Sequence, residues 1–476
     1  MRITSAVLCA AVLFLTPDCS TVSMKAKGPL SAHPTNPRYF TDGSGKAVYL
    51  TGCHTWSNLR DMGPDDPPAA FDFDAYIDFL EELNHNFIRM WAWDLTKYSV
   101  SETILYAGPF PWKRTGPGMA LDGKPKFDLA AFDDAYFDRL RARVIAAGER
   151  GIYVSVMLFE GWALHASKTP WCWDGHPFNG ENNINGIEGD ADGDGRGIES
   201  QTLDIPAVTA IQEAYVRKVI DTVNDLDNVL YEIVNESGPY STEWQYHMIR
   251  FIHDYEKTRP KQHPVGMTFQ WASKERGTNA MLFESPADWI SPNPEGGYRE
   301  NPPAGDGSKV ILTDTDHLWG IGGNRPWVWK SFCRGLNPLF MDRYGRPSEG
   351  VEKPVWADYL SPVPAPDPEF DTIRASLGYT RSYAERMNLA EAAPKSELSS
   401  TSFCLAVPGR EYLVYAPEGG TFTVDLSAGT ASFAVEWMNP ETGERTPGGS
   451  IEGGKTREFT PLFEGDAVLF LSGGKR

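Results

Sequence analysis

The sequence predicts a parallel (β/α)8 barrel followed by a small antiparallel β-sandwich, and three observations carry the prediction. Short apolar runs alternate with segments of helical apolar spacing, the rhythm of parallel strands joined by crossover helices. The 476 residues exceed the roughly 250 that a bare barrel needs, leaving room for large loops and a companion domain. Beyond residue 390 the helical spacing gives way to short alternating segments of the kind that pair into antiparallel sheets.

The first barrel strand follows a Gly-rich turn after Pro37–Gly43 and runs from Ala47 towards Cys53-His54-Thr55-Trp56. A helix over Phe71–Leu83 leads to the second, Asn86–Asp94, where Arg89, Trp91 and Trp93 share a face. The helix Phe132–Gly151 precedes the third, Ile152–Glu160, and the helix at 206–224 precedes the fourth, Asn228–Glu236. Pro264–Phe269, Ala287–Ser291, Lys309–Asp316 and Leu336–Met341 complete the eight. Pro362, Pro364, Pro366 and Pro368 make a stiff loop, after which the amphipathic helix Asp371–Leu389 closes the barrel. Glu411–Tyr415, Thr421–Leu426, Ser432–Trp437 and Ala467–Leu471 are the tail's strands. The implied boundaries are a signal peptide at 1–22, the barrel at 30–392 and the sandwich at 400–476.

A formal charge of −20 repels polyanions, and no basic stripe interleaves with aromatics, so nucleic acid is excluded as a partner. Arg2 and the apolar stretch Ala6–Leu15 read as an export signal, giving a secreted, periplasmic or cell-surface protein. Cys19 raises lipid anchoring, the one route to a membrane, but Pro17-Asp18 are poor neighbours for processing. Cys53, Cys172, Cys333 and Cys404 lack metal-ligand spacing, and both free and paired states stay open.

Strand alternation puts Leu230, Glu232, Val234 and Glu236 on one face of the fourth strand, with Asn235 leaning to the adjoining one. Glu236 then sits at the barrel mouth, and the deeper Glu232 pairs with Arg89. The same alternation carries Asp314 and Asp316 on one face of the seventh strand, with His317 and Trp319 just beyond. Two carboxyls facing across a sugar suffice for glycoside hydrolysis: about 5 to 5.5 Å apart they permit retention, and a wider gap gives inversion. One of the two aspartates has a plainer reading, as a cap for the following loop or a support for His317. His54, Trp56, Trp93, Glu160, Trp162, Trp271 and Trp319 fall at or after strand ends, where rings can cover a sugar's apolar face and polar groups take its hydroxyls.

Arg89 after Asn86, the Asn228–Glu236 run and the seventh-strand acid together resemble the clan A glycoside hydrolases, in particular the cellulase-like family. That resemblance implies Glu236 as acid/base, Asn235 beside the scissile bond and a seventh-strand nucleophile. The nucleophile is usually Glu; here the matching Val310-Ile-Leu-Thr-Asp pattern favours Asp314, with Asp316 close behind. Gly378–Asn388, Tyr412–Tyr415 and Trp437–Gly443 are similar to bacterial apiosidase-like glycosidases, whose C-terminal module is labelled collagen-binding. The implied partner is a plant or other complex polysaccharide, and the implied chemistry needs no cofactor. A non-catalytic carbohydrate-binding or adhesion protein is the alternative, and the tail is a buttress or an adhesion module. A collagen-degrading peptidase lacks both a His-Glu-x-x-His helix and a Gly-x-Ser-x-Gly elbow.

Asp190, Asp192 and Asp194 have the spacing of the first half of a calcium loop, with Gly195 at the tight turn. Position twelve is Gln201 rather than Glu, so a structural calcium and a solvated acidic loop both stay open. The nearby His176-Pro-Phe-Asn179 and Asn182-Asn183 are expected to shape the cleft.

Overall fold

The computed structural model describes residues 25–100, 103–166, 171–272, 275–345, 356–363 and 365–473. The expected signal peptide and Cys19 lie outside them. The barrel strands are β1 (Gly52–His54), β2 (Phe87–Met90), β3 (Tyr153–Glu160), β4 (Val229–Asn235), β5 (Val265–Thr268), β6 (Trp289–Ser291), β7 (Val310–Asp314) and β8 (Asn337–Met341). Each expected run became a strand, in the sheet order β1-β8-β7-β6-β5-β4-β3-β2, all parallel. The two ends of that order meet through Asn86. Its backbone N–H donates to Thr51 O at 3.0 Å, its side-chain amide donates to Tyr49 O at 2.8 Å, and its Oδ1 accepts from Thr51 N at 3.0 Å.

The crossover helices are α1 (Phe73–Glu82), α2 (Asp134–Glu149), α3 (Pro206–Val223), α4 (Thr242–Glu256), α5 (Asn279–Glu284), α6 (Thr315–Trp319), α7 (Arg325–Cys333) and α8 (Asp371–Arg386). Asp72 and Asp133 cap α1 and α2 by accepting from Ala75 N and Ala135 N, satisfying N–H groups that a helix start leaves open. Apolar residues of these helices pack on the outward side chains of the strands, among them Val154, Val156, Tyr231 and Ile233. Inside the barrel, Leu50, Leu230, Trp289, Val310, Leu312 and Leu339 fill the floor, so the barrel is plugged below and open only at its strand C-termini. Between β2 and α2 the chain adds the hairpin Trp112–Met119 and Pro125–Phe132, which carries too much Gly and Pro to be read as strand from periodicity.

The tail has strands β9 (Cys404–Val407), β10 (Glu411–Ala416), β11 (Phe422–Asp425), β12 (Ser432–Met438), β13 (Arg445–Glu452), β14 (Thr456–Phe459) and β15 (Ala467–Gly473). The larger sheet runs β9-β10-β15-β12-β13, with Ala393–Pro394 at its edge, and β11 pairs with β14 in the smaller one. Alternation divides the large sheet's side chains. Tyr412, Val414, Phe433, Trp437, Leu469 and Leu471 form the tail's own core with Phe422 and Phe459 of the smaller sheet. Leu405, Leu413, Tyr415, Met438, Val468 and Phe470 face the other way and pack on Trp329 and Phe332 of α7 and Tyr383 of α8. The tail is thus a sandwich whose second face is closed by the barrel. Cys53, Cys333 and Cys404 are buried free thiols.

Candidate active site

Above the plugged floor, a cavity of about 440 Å³ opens at the strand C-termini, a volume suited to a small ligand or part of a glycan. Its wall holds Trp56, Trp91, Trp93, Trp162, Trp271 and Trp319, together with Glu160, Asn235, Glu236, Asp316 and His317. Trp91 and Trp93 stack with centroids 5.3 Å apart. Consecutive residues Asn235 and Glu236 both reach the cavity because the backbone turns left-handed at Glu236, φ 48°, ending the two-residue alternation of β4. That conformation costs an L-residue of order 1 kcal/mol and recurs at functional sites.

Beneath the wall lies a buried charge network centred on Arg89. Its guanidinium grips Glu232 with two bonds, Nε–Oε2 at 2.9 Å and Nη2–Oε1 at 2.6 Å, the pairing expected from sequence. Nη2 also donates to Asn235 Oδ1 at 2.7 Å, while Nη1 donates to Asp314 Oδ2 at 3.0 Å and Asp316 Oδ2 at 3.1 Å. One planar cation therefore orients residues from β4 and from the end of β7.

The two seventh-strand acids have different fates. β7 stops at Asp314, whose Oδ1 accepts from Asp316 N at 2.9 Å and caps the short helix α6. Its other oxygen accepts from His54 Nε2 at 2.8 Å as well as from Arg89. Asp314 is wholly buried and forms no part of the cavity wall. Burial alone would raise its carboxyl, but His54 and Arg89 outweigh that and hold it well below the usual carboxylate range. Asp316 belongs to the first turn of α6 rather than to the strand, lines the cavity and is 11% exposed. Burial lifts its carboxyl to about 6 against the pull of Arg89. Of the two aspartates expected at the reacting position, Asp314 is thus consumed by capping and ion pairing, and Asp316 is the one that reaches the cavity.

Glu236 is pushed well above the usual range by burial, then by Asp316 and Glu160. Glu160, 1% exposed at the end of β3, is likewise raised by burial and by Asp94. Asp94 itself reaches about 6 through burial and accepts from Glu160 N at 2.8 Å.

Trp56, Trp93, Glu160, Asn235, Trp271, His317 and Trp319 all line the cavity as expected, whereas His54 and Arg89 lie below it. His54 Nδ1 accepts from Trp91 Nε1 at 3.0 Å, so its Nε2 carries the hydrogen given to Asp314. Phe269, directly after β5, and the rim residues Arg276 and Arg299 were not foreseen. The rule that picks strand ends would have found Phe269, but the arginines come from loops that periodicity does not reach. Arg299 lies over the Trp319 ring at 5.3 Å. His176, Asn179, Asn182 and Asn183 do not line the cavity; their side chains bond within the 173–189 loop and to Leu121 of the hairpin.

The fold and the site together can be compared with known proteins. A crystal structure of a glycoside hydrolase family 5 protein from Bacteroides vulgatus superposes with TM-score 0.61 at 14% identity, covering 95% of each chain. The barrel and its tail share the fold of that protein. A second structure, described only as a glycoside hydrolase, gives TM-score 0.60 at 14% identity over 94% of this chain and 98% of its own. Residues 105–274 match a domain of unknown function (DUF6298) that spans Glu160, Asn235 and Glu236. Residues 395–472, the sandwich, match a "Putative collagen-binding domain of a collagenase". No curated protein matches the chain.

Around the 189–199 loop, carboxylate oxygens of Asp190, Asp192 and Glu199 lie within 4.8 Å of one another. Asp194 is not in this group. Its Oδ1 accepts from Arg196 N at 2.9 Å, and Glu199 stands where the sequence spacing had placed it.

Proposed function

We propose that the protein is an exported glycoside hydrolase that cleaves O-glycosidic bonds in plant or other complex polysaccharides. The observation that carries the reading is that two carboxyls from different staves, Glu236 after β4 and Asp316 after β7, line one tryptophan-walled cavity. In the proposed reaction Glu236 protonates the departing oxygen while Asp316 attacks the anomeric carbon, giving a glycosyl ester. Glu236, now a carboxylate, removes a proton from water, which displaces Asp316 and restores both groups. Glu236 must start protonated and Asp316 ionised. Activity therefore climbs as pH rises through about 6 and falls at higher pH as Glu236 ionises, since its carboxyl lies well above the usual range.

A panel of aryl glycosides and oligosaccharides tests the proposal, with neutral and uronate-containing members because the rim carries two arginine forks. Glu236→Gln and Asp316→Asn are expected to lower kcat by at least about 1,000-fold, whereas turnover unchanged in both would remove the assignment. Azide added to Asp316→Ala or Glu236→Ala would trap glycosyl azides of opposite anomeric configuration, and wild-type product configuration read by NMR separates retention from inversion. A carbohydrate-binding protein without catalysis would bind members of the panel and hydrolyse none. Export is supported by the leader at 1–22. A calcium ion on Asp190, Asp192 and Glu199 is the accompanying structural proposal; it requires that calcium raise the melting temperature and that Glu199→Gln abolish the rise.

A further inference from the structure

Ser291, the last residue of β6, is buried and contributes no surface to the cavity wall. Its hydroxyl nevertheless lies 2.7 Å from Nδ1 of His317, which does line the cavity. A hydroxyl can donate or accept, so this contact alone leaves the ring's hydrogen unplaced. The other side of the ring decides it. His317 Nε2 lies 3.4 Å from Asn235 Oδ1 and 3.8 Å from Asp316 Oδ2. Both are acceptors, because both receive hydrogens from Arg89, at 2.7 and 3.1 Å. A lone pair on Nε2 would face two oxygens with nothing to share.

We infer that Ser291 fixes the tautomer of His317: the hydroxyl donates to Nδ1, and the ring's hydrogen sits on Nε2, directed at Asn235 and the proposed nucleophile Asp316. The charged and titratable groups facing the ring are Arg89, Asp314, Asp316 and His54, and the edge of Phe269 packs against it at 6.2 Å. Burial and the nearby Arg89 hold the imidazole well below its ordinary range, in keeping with a neutral ring. The assignment rests on the glycosidase reading only for its purpose. Arg89 already supplies the cation beside Asp316. A second positive charge there would over-stabilise the carboxylate and blunt its attack, whereas a neutral N–H holds the Asn235 carbonyl and faces the carboxylate without that penalty. Ser291 is in this sense a positioning residue, acting on the substrate only through His317.

The test reads the ring directly and the reaction separately. Nitrogen-15 spectra of the protein at neutral pH, with His317→Gln identifying the signal among nine histidines, are expected to show the Nε2–H form with Nδ1 accepting a hydrogen bond. In Ser291→Ala the Nδ1 resonance should move to its unbonded position. With a substrate found in the panel, kcat should fall about tenfold, the worth of one hydrogen bond, with KM within about twofold, and Ser291→Thr should restore most of it. An Nδ1–H ring in the wild type, or spectra unchanged by Ser291→Ala, would overturn the inference whether or not the protein is a glycosidase. A moved resonance with unaltered kcat would overturn the positioning role while leaving the glycosidase reading intact.

Discussion

The barrel mouth and the seam between barrel and sandwich handle buried charge in opposite ways. At the mouth, Glu236, Asp314 and Asp316 crowd around one buried guanidinium, Arg89, which is already gripping Glu232, and Glu160 stands beside Glu236. At the seam, charges stand at the margin of an apolar core and are matched. Arg325 meets Asp466 at 2.8 Å, and Arg386 meets Glu436 at 2.8 and 3.0 Å. The seam's charges are paired with one another, whereas the mouth holds Glu160, Glu236 and Asp316 above the ordinary carboxylate range, which costs stability and, on the proposed reading, suits Glu236 to proton transfer.

Removing the mouth's buried cation gives the largest expected effect. Arg89→Met should leave Glu232 buried without its ion-pair partner and strip Asp314 back to its bonds with His54 and the Asp316 N–H, at a cost of about 3–5 kcal/mol, read as a lower denaturation midpoint. At the seam, Phe470→Ala should cost a comparable amount or slightly less, about 3 kcal/mol, with barrel and sandwich still unfolding in one transition. A sandwich that melts separately would break the comparison. Arg386→Ala, at a margin where that side chain is 36% exposed, should cost less than about 1 kcal/mol. The smallest effect has the opposite sign. Because the Glu236 carboxyl is raised in the fold, its stabilising contribution is complete below the unfolded value of about 4.3 and is lost as pH rises through the folded one. Glu236→Gln should therefore melt about 2 °C higher than wild type at pH 8, and the gap should close towards pH 4. A variant no more stable at pH 8 would show that the mouth stores no such cost.

The barrel was legible because each stave is a run of apolar residues too short for a helix and spaced by amphipathic segments, and Glu232 facing Arg89 followed from alternation alone. The same rule failed where the backbone left the strand. Alternation extended past Asp314 placed Asp316 on β7, whereas a capping bond begins α6 there. It also separated Asn235 from Glu236, which the left-handed turn reunites. His54 was read as a wall residue because it ends a strand, and only packing shows Trp91 lying between it and the cavity edge. Arg276 and Arg299 come from loops, whose course depends on tertiary contacts that no periodicity records.

In the clan A pattern that this sequence resembles, the seventh-strand acid is a glutamate, whose extra methylene lengthens its reach. In this chain the main chain does the spanning, climbing one helical step beyond the stave before it releases an aspartate. The carboxyl proposed to react is then held in register by the hydrogen bond from the Asp316 N–H to Asp314 Oδ1 instead of by side-chain length. On the proposed reading, Asp316→Glu would push the carboxylate one methylene further into the cavity, so the residue that the resemblance implies would be the damaging one.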